Sequence, residues 1–496
     1  MPSDTDETTI LVERSSTPAY VVYPRRFYVL FVFSFLTFNQ CTIWLTFSPI
    51  ARKTEIFYNV TESTVDLLLN WGNMVFIPCL PLTSILLDRP NGLRYCVIIL
   101  AITGFLATLS RILPSLIVSS SNLNFTSISL PFIHAGQILN AACGPLVMAP
   151  VSQLSSIWFA PHERTRATTI AVFANYLGAA GGFIINPLVV AVPEHVPHLL
   201  YIHFGLAFVA CVLTLLYFPA HPPTPPSAAA ELFMTIPADN ENSSNSRTFF
   251  KDIWKCLTTP AFLLLSTAGG LLYGAFGAWT SLYDVLLEPE NYTEQQAGWF
   301  GFASLMAAIA GGLFLGYLAD MRRFQHSLKI LTLISIVGCL LAIIWFELCV
   351  RSLFYDRHIL SSTPFTIGLS TALAGLFSGA ASPLIYEALA EIMYPLPESI
   401  SASILVEWIN TIGLIFLFVA PNRAKLVNFL VFVVVVVCII LVLFTRFTYK
   451  RRDEDERKRI EKEQKQIINQ NVLNQPAIGI INEEEEEQQK HYGTFN

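Results

Sequence analysis

Two stretches of the sequence, "LLDRPNGLRY" at 86–95 and "GYLADMRRFQH" at 316–326, each follow a long apolar block. Both place an aspartate at the end of the block and an arginine one or two residues later. An aspartate at a helix end can pair with an arginine and hold neighbouring helices in one of two arrangements. The two copies therefore predict a chain built from two related halves. The candidate gating residues in these loops are Asp88, Arg89, Asp320 and Arg322.

The composition is that of a membrane protein. Of the 496 residues, 53% are hydrophobic and 13% are charged, whereas soluble proteins carry about 25% charged residues. The apolar residues form blocks of about 20, the length that a helix needs to cross a bilayer. We expect an all-α membrane protein with twelve transmembrane helices in two six-helix halves. The predicted spans are 27–50, 65–87, 95–118, 131–157, 167–191, 199–218, 260–286, 297–319, 328–350, 365–388, 400–420 and 426–446.

Polar segments divide the chain into five parts. The segment after the sixth span opens with "PAHPPTPPSAAA" and continues with "ADNENSSNSR", a composition that cannot build a core. The end of the chain carries "KRRDEDERKRIEKEQKQ" and "NEEEEEQQK", which are typical of a solvated helix or of disorder. The predicted parts are an N-terminal tail (1–26), a six-helix bundle (27–218), a linker (219–259), a second six-helix bundle (260–446) and a charged, largely disordered tail (447–496).

Basic residues and glycosylation sequons predict the same orientation. Most of the lysines and arginines outside the spans fall on the side of the two chain ends, which the positive-inside rule assigns to the cytosol. Three sequons, at Asn59, Asn124 and Asn291, fall in loops on the opposite side, and the one at Asn242 falls in the linker. We therefore expect both termini to be cytosolic and the first three asparagines to carry glycans.

Several motifs together indicate a family. The pattern E-x-x-x-E-x-x-Y-P-x-P-E at 387–398 resembles the loop after the tenth span of solute carrier family 49. Residues 25–51 resemble the first span of that family, and 136–145 and 158–171 resemble its fourth and fifth spans. The loop beginning at Asp88 is similar to the Asp-Arg-x-Gly-Arg loop of the major facilitator superfamily, with an extra residue. The "YFPAHPPTPPS" opening of the linker most resembles the lysosomal branch of the family, that of the protein named disrupted in renal carcinoma 2.

The resemblance implies a function that composition alone does not give. Members of the family have been assigned haem, choline or ethanolamine and, for the lysosomal branch, pyridoxine together with protons. The interpretation that we favour is proton-coupled transport of a small polar aromatic or cationic metabolite, with pyridoxine as the best guess, by alternating access across the lysosomal membrane. A choline, ethanolamine or haem transporter of the plasma membrane is the alternative. A membrane receptor or sensor that does not transport is a second alternative.

Polar and aromatic residues inside the spans are candidates for the substrate site. Polar side chains are costly when they face lipid, so we expect them to face the interior of the bundle. The amides can alternatively hydrogen-bond between helices, and the aromatic residues can alternatively be packing residues. The candidate substrate-binding residues are Trp44, Gln137, Asn140, Asn175, Tyr176, Tyr273, Trp279 and Asn410.

Carboxylates in or near the spans are candidates for proton coupling and gating. Glu407 lies inside the eleventh predicted span, where an ionisable group indicates a function. Glu347 and Asp284 are the alternative proton carriers. Glu387 and Glu391 lie near the end of the tenth span, where we expect them to pair with basic residues of the loops and to act in gating.

No enzymatic or metal site is predicted. The sequence contains no GxSxG, HExxH, P-loop or Rossmann fingerprint, and no CxxC pair. We therefore expect no enzyme activity, no catalytic residues, no bound metal and no cofactor. The expected partners are the small-molecule substrate, protons and membrane lipid, without nucleic acid, and the chain is expected to be a monomer.

Both tails carry short patterns that resemble sorting signals. "DETTIL" at 6–11 resembles an acidic dileucine signal, with Ile10 and Leu11 at the critical positions. "YGTF" at 492–495 matches a tyrosine-based signal, formed by Tyr492 and Phe495. Clathrin adaptors could reach either signal in a cytosolic tail. These patterns favour a lysosomal address over the plasma membrane.

The predicted orientation can be tested by glycosylation. Replacing Asn59, Asn124 and Asn291 together with Gln should abolish the gel shift that a glycosidase produces, because all three are expected on the non-cytosolic side. Asn242→Gln is the matched control and should leave the shift unchanged. A shift that survives the triple change and disappears with Asn242→Gln would reverse the orientation.

Overall fold

The computed structural model describes residues 21–450, apart from 88, 121, 161–162, 227–229, 231–243, 322–323, 325, 395, 397 and 420–422, together with residues 453, 457, 460 and 464. Within these residues the regular structure is entirely helical. The α-helices are α1 (Arg25–Trp44), α2 (Ala51–Tyr58), α3 (Glu62–Leu87), α4 (Gly92–Ile117), α5 (Phe125–Met148), α6 (Val151–Trp158), α7 (Arg164–Val189), α8 (Val196–Leu216), α9 (Ser244–Thr258), α10 (Pro260–Ser281), α11 (Tyr283–Leu287), α12 (Glu294–Asp320), α13 (Leu328–Cys349), α14 (Pro364–Met393), α15 (Glu398–Val419) and α16 (Ala424–Phe444).

The helices confirm the predicted fold class. Eleven helices of the described chain are long and apolar enough to cross a membrane, and the pair α5 and α6, bent by 44°, brings the number to as many as 12. The bend follows from Pro150, which lies between the two helices and cannot donate a backbone hydrogen bond. The bent pair occupies the predicted fourth span.

The two halves repeat the same helix pairings. In the first half α1 packs on α7, α3 on α5, and α4 on both α5 and α8. The second half repeats this arrangement, with α10 on α15, α12 on α14, and α13 on both α14 and α16. The most extensive contacts between the halves are those between α7 and α12 and between α3 and α15. The fold is therefore a pair of repeated bundles with an interface between them.

Glycines allow some of these helices to approach closely. A Cβ at Gly178 would lie 2.3 Å from the Phe38 carbonyl oxygen, where α7 crosses α1. A Cβ at Gly375 would lie 2.1 Å from the Ser304 carbonyl oxygen, where α14 crosses α12. Small residues at such crossings let the helix backbones pack directly on each other, which favours association of helices in lipid.

Two segments differ from the simple pattern of spans and linker. The first predicted span, 27–50, is not one helix, because α1 ends at Trp44 and a 3₁₀ turn at Ser48–Ile50 leads into α2. Pro49 explains the break, since its ring would clash with the carbonyl group four residues earlier in a continuous helix. The predicted linker contains the helix α9, whose apolar residues recur at helical spacing in "FFKDIWKCL".

The loops lie on two opposite faces. One face, which we call the loop face, carries residues 45–61, 118–124 and 282–293. There Thr126 Oγ1, at the start of α5, donates to the Tyr58 carbonyl oxygen at the end of α2 (2.7 Å). The opposite terminal face carries the start of α1, where Arg26 forms an ion pair with Glu163. The three sequons of the loop face, at Asn59, Asn124 and Asn291, are exposed, whereas Asn242 lies outside the described residues.

Candidate functional site

A cavity of about 590 Å³ lies between the two halves. Four helices of the first half line it (α1, α3, α5 and α7), and so do four of the second half (α10, α12, α14 and α15). These are the equivalent helices of the two repeats. A site between repeats, exposed in turn by their rocking, is the usual place for substrate in transporters of this architecture.

The cavity wall is uncharged. Among its described residues there is no Asp, Glu, Lys, Arg or His. Its polar groups are side-chain amides, tyrosine and serine or threonine hydroxyls, an indole and a thiol. The amides are those of Gln40, Asn73, Asn175 and Asn410. Such a wall can hydrogen-bond a neutral molecule or hold a cation against aromatic faces, but it offers no formal charge to an anion.

Aromatic residues from both halves face the cavity. Trp44 and Tyr176 belong to the first half, and Tyr273 and Tyr386 belong to the second. The Nε1 atom of Trp44 is buried and has no hydrogen-bond partner in the described part of the protein. Gly72 packs against this ring, since a Cβ there would lie 2.1 Å from Nε1. A side chain at position 72 would therefore displace the indole.

Five of the predicted substrate-binding residues lie in the cavity wall, and three do not. Those in the wall are Trp44, Asn175, Tyr176, Tyr273 and Asn410. Gln137, Asn140 and Trp279 are almost completely buried between helices. The physical reason is that each of the three already has partners within the bundle.

These partners are specific. Gln137 donates to the Leu68 carbonyl oxygen (3.2 Å) and accepts from Arg111. Asn140 Nδ2 donates to the backbone carbonyl of Gln40 (3.3 Å), which joins α5 to α1. Trp279 Nε1 donates to Asn428 Oδ1 (2.8 Å).

A buried arginine that was not predicted holds the end of α1. Arg111 on α4 is 1% exposed, and its guanidinium donates to the Ile43 carbonyl oxygen (3.3 Å) and to Thr46 Oγ1 (3.0 Å). The ring of Phe47 lies 5.7 Å from the guanidinium carbon. Ile43 directly precedes Trp44, so Arg111 binds the last turn of α1 and the segment after it, where the Ile43 carbonyl also accepts from the backbone N–H of Thr46 (3.3 Å). The only signal in the sequence is one arginine within the apolar run "FLATLSRILPSLI".

Charged residues join the two halves on the loop face. Arg52 Nε donates to Asp284 Oδ1 (2.9 Å), and Lys53 Nζ lies 2.6 Å from Glu294 Oε2. We call these four residues the loop-face latch. Ser48, close by, donates to the Ser281 carbonyl oxygen. The latch joins the two halves on the loop face, because α2 belongs to the first half and α11 and α12 belong to the second.

Burial changes the acidity of one latch residue. The Asp284 side chain is 1% exposed and lies in α11, outside the membrane-spanning helices. Burial raises the pKa of Asp284 to about 7, although Arg52 opposes the shift and Glu294 adds to it. The carboxyl group therefore titrates between the pH of an acidic organelle and that of the cytosol.

The other predicted carboxylates are placed differently. Glu407 is half-buried beside the cavity-lining Val406 on α15, but is not itself in the wall. Glu347 on α13 is also half-buried, and the hydroxyl of Tyr355 donates to its backbone carbonyl (2.8 Å). Glu391 is fully buried in the bundle, because α14 continues to Met393.

The remaining candidates lie at the edges of the described structure. Glu387 is half-buried in α14, and Arg89 is exposed at the end of α3. Asp88, Arg322 and the side chain of Asp320 lie outside the described residues, as do the tail residues Ile10, Leu11, Tyr492 and Phe495. The gating roles of Arg89 and Glu387, and the gating and sorting roles of the residues outside the described structure, therefore remain predictions.

Comparison with known proteins identifies the family. Residues 27–356 match the Major Facilitator Superfamily. Two proteins named Solute carrier family 49 member 4 homolog, from Xenopus tropicalis and Xenopus laevis, are 31% and 32% identical over 423 residues, which cover 82% of this chain and 87% of theirs. The chain belongs to solute carrier family 49 of the Major Facilitator Superfamily. This confirms the resemblance that the sequence motifs indicate, and it makes the chain a membrane transporter and not an enzyme.

More distant relatives share the fold. The Choline/ethanolamine transporter flvcr2b of Danio rerio is 26% identical over 427 residues, which cover 84% of this chain and 81% of the relative. An inward-open structure of the xylose transporter XylE from E. coli has a TM-score of 0.61 at 14% identity, covering 86% of this chain and 97% of XylE. A bacterial homolog of the human lysosomal transporter Spinster has a TM-score of 0.59, also at 14% identity, with the same coverage.

The role of Arg111 can be tested by substitution. Arg111→Leu should lower the free energy of unfolding by about 3 kcal/mol, because it removes the donor to the buried Gln137 amide oxygen and to Thr46 Oγ1, together with one of the donors to the Ile43 carbonyl. Arg111→Lys should recover part of the loss, since an ammonium group supplies charge but not the planar fork of donors. Arg94→Gln, at an exposed site on the same helix, is the control. Thermal unfolding in detergent measures the effect, and an unchanged melting temperature for Arg111→Leu would contradict the anchoring role.

Proposed function

We propose that this transporter moves a small neutral or cationic metabolite, with pyridoxine as the best candidate, out of the lysosome. The observation that carries the proposal is the uncharged cavity wall with its amides and aromatic rings. Pyridoxine presents hydroxyl groups to amide partners and a pyridine ring that can stack on Trp44 or a tyrosine. Haem fits this wall poorly, since its carboxylates would find no cation there.

Choline is the second candidate, and the aromatic residues of the cavity favour it. Eight aromatic rings line the cavity in the described part of the protein, and those of Trp44, Tyr176, Tyr273 and Tyr386 are among them. Rings of this kind hold such cations through their negative faces. The relative from Danio rerio is named a choline/ethanolamine transporter. Choline has a single hydroxyl group, so it would use fewer of the amide groups than pyridoxine, which has three.

Transport would proceed by alternating access, with the two halves rocking about the cavity. In the described arrangement the loop-face latch holds the halves together beside the cavity. Opening toward the loop face requires both ion pairs to separate. Because Asp284 has a pKa of about 7, protonation at a lumenal pH near 5 would remove its attraction for Arg52. This supports proton coupling through the latch, with Glu407 and Glu347 as the alternative carriers.

The proposed lysosomal address depends on the two tails. The patterns that contain Leu11 and Tyr492 are the features that support it. A combined Leu11→Ala and Tyr492→Ala change should move the full-length protein to the cell surface, measured by surface biotinylation. Phe447→Ala, which removes an aromatic residue outside both patterns, is the control. Unaltered lysosomal staining of the double variant would rule out these signals.

The substrate can be determined with purified protein in vesicles. We expect saturable uptake of radiolabelled pyridoxine, with choline tested in parallel and haem expected to give none. Trp44→Ala should reduce uptake by about tenfold or more, because it removes an aromatic face from the cavity wall. Trp299→Ala is the matched control, since Trp299 is 49% exposed on the outside of the bundle. Binding without uptake of any of these compounds would favour the receptor or sensor alternative.

The proton carrier can be identified from the pH dependence of uptake. Asp284→Asn should make uptake nearly equal at pH 5 and pH 7.5 on the loop-face side, because the variant cannot change its charge. Asp356→Asn is the control: this exposed residue pairs with Lys425 on the same face, and Lys425 lowers its pKa, so it stays ionised in this range. If Asp284→Asn keeps the pH response and Glu407→Gln abolishes it, the proton carrier is Glu407 and not the latch.

A further inference from the structure

The helix α9 lies outside the two bundles and is tied to the membrane surface. Only Thr259 separates it from the span α10, and this residue has an extended backbone (φ −90°, ψ 110°) followed by Pro260 at the start of α10. One extended residue cannot carry α9 away from the point where α10 leaves the bilayer. The helix also contacts α10 and α15. It is therefore held beside the bundle on the terminal face.

The side chains of its last two turns lie on three sides of the helix. Cys256 is fully buried and marks the side that faces the bundle. Trp254 is 69% exposed and Leu257 is 39% exposed, on an adjacent side. Lys251 and Lys255 are both exposed and are four residues apart, so they share the next side. The helix thus presents an apolar strip and a basic strip, side by side, away from the bundle.

We propose that α9 binds anionic phospholipid headgroups at the terminal face of the membrane. A helix with an apolar side and adjacent lysines lies in the plane of the bilayer interface, with its apolar residues buried at the level of the headgroups. Tryptophan is the residue that prefers this depth, because its ring is apolar and its N–H group is polar. Lys251 and Lys255 add attraction for negatively charged lipids. The continuity of α9 with α10 favours lipid over a soluble protein as the occupant, since it fixes the helix at the bilayer.

The proposal can be tested with the full-length protein in nanodiscs of phosphatidylcholine, with or without phosphatidylserine. Phosphatidylserine should raise the melting temperature of the unmodified protein, and the gain should shrink in high salt. The double variant Lys251→Gln and Lys255→Gln should lose at least about half of that gain. Lys425→Gln, at a lysine on the opposite loop face, should keep the full gain. An equal gain in the double variant would overturn the proposal.

The position of Trp254 gives a second, independent measurement. Phosphatidylcholine brominated near its headgroup quenches the fluorescence of tryptophans at that depth. Trp254→Phe should remove part of the quenched emission, while its thermal stability stays close to that of the unmodified protein. If the emission that this variant loses is not quenched by the brominated lipid, Trp254 lies away from the bilayer. That result would overturn the lipid assignment and favour a protein partner for α9.

Discussion

The structure depends on the rule that a backbone group in hydrocarbon must have a hydrogen-bond partner. Regular helices satisfy the rule along most of the bundle, but α1 ends at Trp44, where the Ile43 carbonyl accepts from Thr46, three residues on, instead of from the fourth residue of a continuing helix. Arg111 supplies donors at this point, from a neighbouring helix. A charged arginine in the middle of a span costs about 2.5–3.5 kcal/mol on the insertion scale, and its contacts with Ile43, Thr46 and Gln137 offset that cost. The break in α1 is thereby stabilised.

This break has consequences for the cavity and for the latch. Because α1 stops at Trp44, the chain can turn through the 3₁₀ segment and form α2, which carries Arg52 and Lys53 across to the second half. A continuous helix over the whole predicted first span would carry these two side chains past the interface. The same break fixes the indole of Trp44 against Gly72, at the wall of the cavity. The binding surface and the contact between halves thus share one structural origin.

The sequence predicts the spans well, because each depends on the length of one apolar block. It also predicts Trp44, Tyr273 and Asn410 in the substrate site, and all three line the cavity. Polar side chains that face lipid are costly, so those of the inner helices face the interior of the bundle. The pairings of Gln137 and Trp279 could not be predicted, as they depend on which side chain packs opposite. The ion pair of Arg52 with Asp284 joins residues separated by 232 positions, and no local pattern links them. The helix α9 was missed because its polar neighbours made the whole segment resemble a linker.

The charged residues of the latch lie outside the cavity wall. This separation limits how protonation of the latch could affect binding in the cavity. No residue of the described cavity wall is an acid or a histidine, so a proton on Asp284 cannot act on the cargo by direct contact. An effect of Asp284 protonation on the cavity would have to be transmitted through the backbone. Ser281 lines the cavity and accepts a hydrogen bond from Ser48 through its carbonyl, and Asp284 follows it at the start of α11. On the other half, Trp44 is joined to Arg52 through the same short turn that contains Ser48. If Asp284 carries the proton, as proposed, separation of the ion pair would move the ends of α1 and α10 together, and both ends contribute residues to the cavity wall.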